Sequence, residues 1–292
     1  MQTAELLRKV RRLEIRTRHL VEDLLSGQAE SVFKGRGIEF EEVRPYVPGD
    51  EVRDLDWNVT ARLGQPYVKR FVEEHEITVV LVVDVSYSMR FGTTGQEKRE
   101  LAAELCGLLG FAALRNQDRL GLLLVSDRVE HAVPPARGRR QVLRVLRDVL
   151  EHRSATGRTN LSVAARHVMQ TVKRRSVVFV LSDFETPLDP KPWRVLARRH
   201  DVTTFVLRDP RDEILPSAGW VEFEDLETGQ RRLARTSSRA FRAAYRQAAV
   251  ERRRGMEKML RATRCGVVDL ATDQSYLPVL LHYFAQRARG RR

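Results

Sequence analysis

The chain has 292 residues, of which 42% are hydrophobic and 31% charged, and a formal net charge of +13. That length allows a large domain with a smaller attachment, and the balance excludes a disordered or fibrous chain. No run approaches the roughly 20 apolar residues that span a bilayer, and the amino terminus MQTAELLRKVRRLEIR alternates charge with leucine instead of forming a signal-peptide core, so the expected location is the cytoplasm.

From Glu5 to Leu25, Leu6, Val10, Leu13, Leu20 and Leu24 recur at three- and four-residue spacing, which predicts an amphipathic helix within residues 1–32. Residues 33–76 change character. Gly, Pro and Asp breakers separate short aromatic and β-branched runs, predicting a small β-rich module with strands near 38–44 and 66–73. Its cluster Asp50, Asp54, Asp56, Trp57 and Arg62 reads as a buried ion-pair and turn network rather than an acid/base site.

A larger domain is expected over 77–288, with a basic tail at 289–292. ITVVLVVD (77–84), RLGLLLVS (119–126), SVVFVLSD (176–183), VTTFVLRD (202–209) and CGVVDL (265–270) are continuous apolar runs of the kind found in parallel strands covered on both faces. Helical stretches lie between and after them at 96–115, 138–150, 160–174, 190–199, 238–263 and 275–288, and a hairpin is expected around Thr228-Gly229. The alternation predicts an α/β fold with a doubly wound, mostly parallel sheet and helices on both faces. Cys106 and Cys265 have no disulfide or zinc spacing and are expected to be buried thiols; His75, His131 and His152 also lack ligand spacing.

In such a sheet, ligands bind beyond the carboxyl ends of the strands. Asp84 ends the first core strand, with Ser86 and Ser88 at alternate positions after it; Asp183 ends another strand, and Thr159 precedes a helix in TGRTNLSVAARHV. If those strands are neighbours, two carboxylates and three hydroxyls meet in one crevice. An all-oxygen set favours a hard divalent ion, Mg²⁺ first and Mn²⁺ second, over zinc. An ion neutralised by two carboxylates keeps a coordination position for an Asp or Glu from a partner. The competing possibility is that Asp84 and the serines cap the helix that follows.

D-x-S-x-S at 84–88, the Thr of GRTNL and the Asp of LSDF resemble the three parts of the metal-ion-dependent adhesion site (MIDAS) of von Willebrand factor A domains, over roughly 77–285. The resemblance implies that Ser86, Ser88 and Thr159 contact the ion and that Asp84 and Asp183 act directly or through water. Immediately upstream, YVPGDEVRDLDWNVTARLGQPYVKRFVEE resembles the signature of the DUF58 family, prokaryotic proteins that carry such a domain and are commonly encoded beside MoxR-type AAA+ ATPases. Many members have transmembrane helices ahead of this signature, where an amphipathic helix stands here. The resemblance implies an adaptor or co-chaperone working with an ATPase, and not an enzyme.

Two other functions compete with this reading. A Mg²⁺-dependent phosphotransferase or phosphatase would use Asp84 as nucleophile, but Ser86 stands where a second acid is expected and no Gly-rich loop with Lys is present. The net charge attracts nucleic acid, anionic lipid or an acidic protein without naming which; non-specific nucleic-acid binding is expected to be weak, with no base-reading motif to give it specificity.

Overall fold

The computed structural model describes residues 10, 11, 14, 39–48, 50, 55–72, 77–154, 158–225 and 229–289. The chain separates into two compact units, one within Phe33–Ile77 and the other built on Thr78–Arg292 with the residues ahead of Phe33. Of the expected amino-terminal helix, only Val10, Arg11 and Glu14 are described, and all three are helical.

The smaller unit pairs β1 (Glu39–Pro45) antiparallel with β2 (Tyr67–Val72). Between them lies α1 (Trp57–Leu63), a helix not expected from the sequence. Asp56 starts it, its carboxylate accepting the Asn58 and Val59 N–H groups, and Gly64 ends it at φ 68°, a conformation glycine adopts without Cβ strain. The turn before it is held by Asp50, which accepts both guanidinium nitrogens of Arg44 at 2.7 and 2.8 Å and the Val47 N–H at 2.9 Å. Those bonds, the Arg44 pair first, hold the Asp50 carboxyl below its usual range. The expectation of a buried network is corrected at two points. Trp57 is 67% exposed and Arg62 is exposed as well, whereas Asp56 is buried and acts as a helix cap, which is the local turn role expected of it. Asp54 lies outside the described residues.

The larger unit is a six-stranded sheet whose strands lie in the order Gly266–Ala271, Asp201–Arg208, Val177–Ser182, Thr78–Asp84, Arg119–Val125 and Val129–Ala136. Its elements follow as β3 (Thr78–Asp84), α2 (Lys98–Arg115), β4 (Arg119–Val125), β5 (Val129–Ala136), α3 (Arg139–Glu151), α4 (Ser162–Thr171), β6 (Val177–Ser182), α5 (Pro190–Arg199) and β7 (Asp201–Arg208). The hairpin β8 (Trp220–Glu224) and β9 (Arg231–Arg235), helix α6 (Arg239–Ala262), strand β10 (Gly266–Ala271) and helix α7 (Leu277–Arg289) complete it. β3, β4, β6, β7 and β10 are parallel, and β5 is an antiparallel edge.

Continuous apolar strands are required because both faces are covered. Val80, Val82, Val178 and Val180 pack with Leu161, Ala165, Trp193 and Leu196 in one core cluster on the α4 and α5 side. The alternate residues Val79, Leu81 and Val83 are equally buried, and α2 is buried along nearly its whole length. Cys106 and Cys265 are free and buried, as expected, and burial pushes the Cys106 thiol far above its usual range.

The winding fixes where a site can form. From β3 the chain goes to β4 on one side, then returns to β6 on the other. The direction of winding therefore reverses at β3, and the crevice beyond the carboxyl ends of β3 and β6 is the topological switch point.

Candidate functional site

Asp84 and Asp183 flank that switch point, Asp84 as the last residue of β3 and Asp183 as the first after β6. Asp84 is fully buried. Its Oδ1 accepts the Ser86 N–H at 2.9 Å, forming an Asx turn, and its Oδ2 accepts the Ser182 hydroxyl at 2.6 Å from the neighbouring strand. Ser182 is spoken for on its other side too, accepting the Phe184 N–H at 3.0 Å. Two parallel strand ends are thus stitched through one carboxylate.

After Asp84 the Val85 N–H bonds to the Val125 carbonyl at 2.8 Å, which keeps the chain on the sheet for one more residue. A short 3-10 turn, Tyr87–Arg90, then reverses it, with Met89 fully buried beneath. This turn brings the Ser86 and Ser88 hydroxyl oxygens to 3.1 Å from each other. Ser86 stands at the N-cap of this turn without making a side-chain capping bond, and none of Asp84, Ser86 and Ser88 caps α2. Glu97 does so, in a reciprocal pair with Glu100.

Asp183 sits just before a strained residue. Phe184 is at φ 54°, in the left-handed region a bulky side chain rarely adopts. It is held there by its bond to Ser182 and by burial against Trp193, whose ring centre is 6.3 Å away. Strain of this kind persists where the surroundings over-determine it, and here it turns the chain sharply at the crevice. The Asp183 Oδ1 accepts the Glu185 N–H at 3.4 Å, and its Oδ2 accepts from Lys98 Nζ at 2.9 Å. Lys98 also lies 3.1 Å from Asp212 Oδ2.

Thr159 is half-buried in the loop at 158–160, which is tied to the end of β4 by the Asn160 N–H donating to the Ser126 carbonyl at 2.9 Å. The structure therefore brings Asp84, Ser86 and Ser88 into one bonded group, places Asp183 across the switch point, and locates Thr159 through its backbone beside β4. Ser182, Lys98, Asp212 and the strained Phe184 belong to the same crevice and were not anticipated. Ser182 was visible only as a polar residue ending an apolar strand; Lys98 gave no signal within the charged stretch EKRE.

The electrostatics follow from burial. Desolvation first, and then the negative charge of Asp183, push the Asp84 carboxyl up to about 6, against the hydrogen bonds from Ser182 and Ser86. Lys98 is the opposite case: burial disfavours its charge, but Asp183 and Asp212 outweigh it and hold the ammonium above its usual range. The side-chain groups bonded to Asp84 are hard oxygens. Among the described residues no three His, Cys, Asp or Glu side chains are placed to hold one ion, so an ion here needs the hydroxyls as well as the two carboxylates.

Elsewhere, His131 Nε2 is 3.1 Å from Asp148 Oδ2, and its ring stacks on that of His152 at 6.4 Å. Ser126 and Ser154 both donate to Glu130 Oε1, whose partner oxygen is 3.8 Å from His152 Nε2. His75 lies outside the described residues. Among the described residues no helix is long and apolar enough to cross a membrane.

A family model described as "Protein of unknown function DUF58" matches residues 42–255. The chain is 33% identical over 284 residues to Uncharacterized protein Rv1480 of Mycobacterium tuberculosis, covering 96% of this chain and 89% of that one. It matches Uncharacterized protein Mb1516 of Mycobacterium bovis to the same extent. Among solved structures, it is similar to BatB from Bacteroides thetaiotaomicron, at 11% identity and a TM-score of 0.43, covering 73% of this chain and 99% of that one. An aerotolerance-related membrane protein from Bacteroides fragilis is similar at 13% identity and a TM-score of 0.46, with the same coverage. With the family model matching most of its length and a relative 33% identical along 96% of it, the chain belongs to the DUF58 family.

Proposed function

We propose that this DUF58 protein is a metal-ion-dependent protein-binding module of the von Willebrand factor A type. In this reading Asp84, Ser86, Ser88, Thr159 and Asp183 hold a divalent ion, Mg²⁺ first and Mn²⁺ second. The observation that carries it is the state of Asp84. The carboxylate is fully buried, bonded to the Ser86 N–H and to the Ser182 and Ser86 hydroxyls, all uncharged, and beside a second carboxylate; among the described residues no Lys, Arg or His pairs with it. A buried anion of this kind is costly unless it is protonated or given a cation, and the oxygens gathered around it suit a hard cation. When bound, the ion supplies a Lewis-acidic position for a carboxylate brought by a partner.

The chain's own residues do the rest. Ser182 and the Ser86 N–H orient Asp84, the 3-10 turn holds the Ser86 and Ser88 oxygens together, and the reversed winding sets the two carboxylates at neighbouring strand ends. No acid/base pair or nucleophile with an activating partner is part of this set, so the role proposed is recognition rather than catalysis. The partner proposed is a MoxR-type AAA+ ATPase, or a client it acts on, offering an Asp or Glu; the module would serve as its adaptor or co-chaperone.

The test is a pull-down from the native cell in Mg²⁺, repeated with EDTA and with Asp84→Ala. Recovery of an AAA+ ATPase or a client that falls in both is the expected result. Recovery undiminished in both removes the ion from the interaction.

A further inference from the structure

We propose that Lys98 is a tethered counter-cation of the crevice: in the ion-free protein its ammonium neutralises Asp183, and it limits how tightly a divalent ion is held by competing for that carboxylate. This deepens the reading of the crevice as an ion site and rests on it.

Lysine is almost never fully buried unless paired, and Lys98 is 2% exposed. Its Nζ lies 2.9 Å from Asp183 Oδ2 and 3.1 Å from Asp212 Oδ2, with the Phe91 ring centre 5.7 Å away. Its place in the helix is electrostatically wrong. Lys98 is the first residue of α2, where the unpaired N–H groups carry partial positive charge and an anion is preferred. Helix formation therefore gives no reason for a cation here; the two carboxylates do.

The segment that delivers Lys98 is built for the purpose. The loop from Phe91 to Glu97 closes on itself through the Lys98 N–H bonded to the Phe91 carbonyl at 3.1 Å. It turns so tightly at Gly92 that a Cβ there would lie 2.3 Å from the Gln96 carbonyl oxygen. Thr93 pins it from outside, donating its N–H and hydroxyl to buried Asp209 at 2.7 and 2.6 Å. With its backbone so fixed, the Lys98 side chain reaches between two strand ends and meets a fork of two carboxylates.

The fork explains how one residue serves two conditions. Asp212 is held independently, accepting the Asp209 N–H at 2.8 Å, so it remains a seat for the ammonium when Asp183 turns to another cation. Lys98 is then never stranded as a buried unpaired charge, which would be strongly unfavourable. An ion entering the crevice meets a like charge already on one of its two carboxylates and is held less tightly for it.

The experiment is calorimetric titration of the full-length protein with MnCl₂ alone. Lys98→Met should bind Mn²⁺ about tenfold or more tightly than wild type, since removing a neighbouring like charge commonly shifts such equilibria by that factor. Asp212→Asn should bind several-fold more weakly, because the ammonium is then concentrated on Asp183. Asp84→Ala, introduced into each, should abolish binding. Unchanged or weaker binding by Lys98→Met, with Asp84→Ala still abolishing it, overturns the competition and leaves the ion site standing. Should Lys98→Met not fold, Asp212→Asn decides: affinity equal to or above wild type overturns the proposal. Uptake of Mn²⁺ by none of the proteins removes the ion site and the proposal together.

Discussion

Ser182 donates its hydroxyl to Asp84 at 2.6 Å across the gap between two parallel strands that are 98 residues apart in sequence. The bond joins the two elements at the point where the winding of the sheet reverses, and both partners are fully buried. Removing a donor to a buried carboxylate leaves an acceptor without its partner, at a cost of about 1–3 kcal/mol. Ser182→Ala should therefore lower the unfolding free energy by about 1–3 kcal/mol, read as a lower urea midpoint at an unchanged denaturant slope. Ser182→Thr, which keeps the hydroxyl, should recover part of the loss. Equal stability of Ser182→Ala and wild type would show that the bond contributes nothing net.

The raised pKa of Asp84 makes a prediction of definite sign. A carboxyl whose folded pKa lies above its unfolded value of about 3.9 stabilises the fold in its protonated form. That contribution is fully present below the unfolded value and is lost as pH rises through about 6. In chelator, Asp84→Asn should be more stable than wild type at pH 8; the difference should shrink on acidification below about pH 6 and close near pH 4. Urea midpoints of the two proteins across that range are the measurement, and a difference that does not change with pH would place no raised pKa at Asp84. Mg²⁺ at pH 8 should narrow the gap by stabilising wild type alone.

Much of this is legible in the sequence, for a physical reason. A strand covered on both faces must be apolar at every position, so β3, β4, β6 and β7 announce themselves as unbroken runs, and the oxygen-bearing residues at their ends stand out by contrast. β5 did not: as an edge strand carrying Pro134 and Pro135 it has the mixed composition of a loop, and it pairs on one side only. Helix α1 is seven residues long and lies among turn-forming residues, so neither periodicity nor length marked it. The three members of the D-x-S-x-S set could be grouped because they are local. Lys98 and Asp183 are 85 residues apart, and nothing in one dimension distinguishes a buried lysine from the solvated charges beside it. Tertiary pairing of charges is what the sequence least reveals.

Asp209 is the anchor of the loop that carries Lys98. It is 1% exposed and accepts from the Thr93 N–H and hydroxyl, the Arg211 N–H and the Thr272 hydroxyl at 2.6–3.1 Å. Burial alone would raise its pKa, but these bonds outweigh it and hold the carboxyl below its usual range. The sign is the reverse of that for Asp84: the contribution is present above the unfolded pKa and is lost as pH falls through the folded one. Asp209→Asn cannot satisfy the same donors, so it should destabilise at neutral pH by about 1–3 kcal/mol and by less in acid. Hydrogen exchange should rise at the Thr93 amide. Unaltered exchange there would mean that the loop is held by other contacts.

Met89 tests whether the hydroxyl pair depends on packing beneath it. The side chain is fully buried under the 3-10 turn, and its own N–H closes that turn on the Ser86 carbonyl at 3.2 Å. Met89→Ala leaves a void that rigid strand ends cannot fill, and truncations of this kind cost about 2–5 kcal/mol. Met89→Leu nearly conserves volume and should cost less than about 1.5 kcal/mol. If packing sets the positions of Ser86 and Ser88, Mn²⁺ affinity should fall in the alanine variant and survive in the leucine variant under conditions where both are folded. If the turn is instead held by its backbone bond and by Asp84, the alanine variant should lose stability yet bind the ion as wild type does. Calorimetry on the folded variants separates packing from hydrogen bonding as the force that presents the serine oxygens.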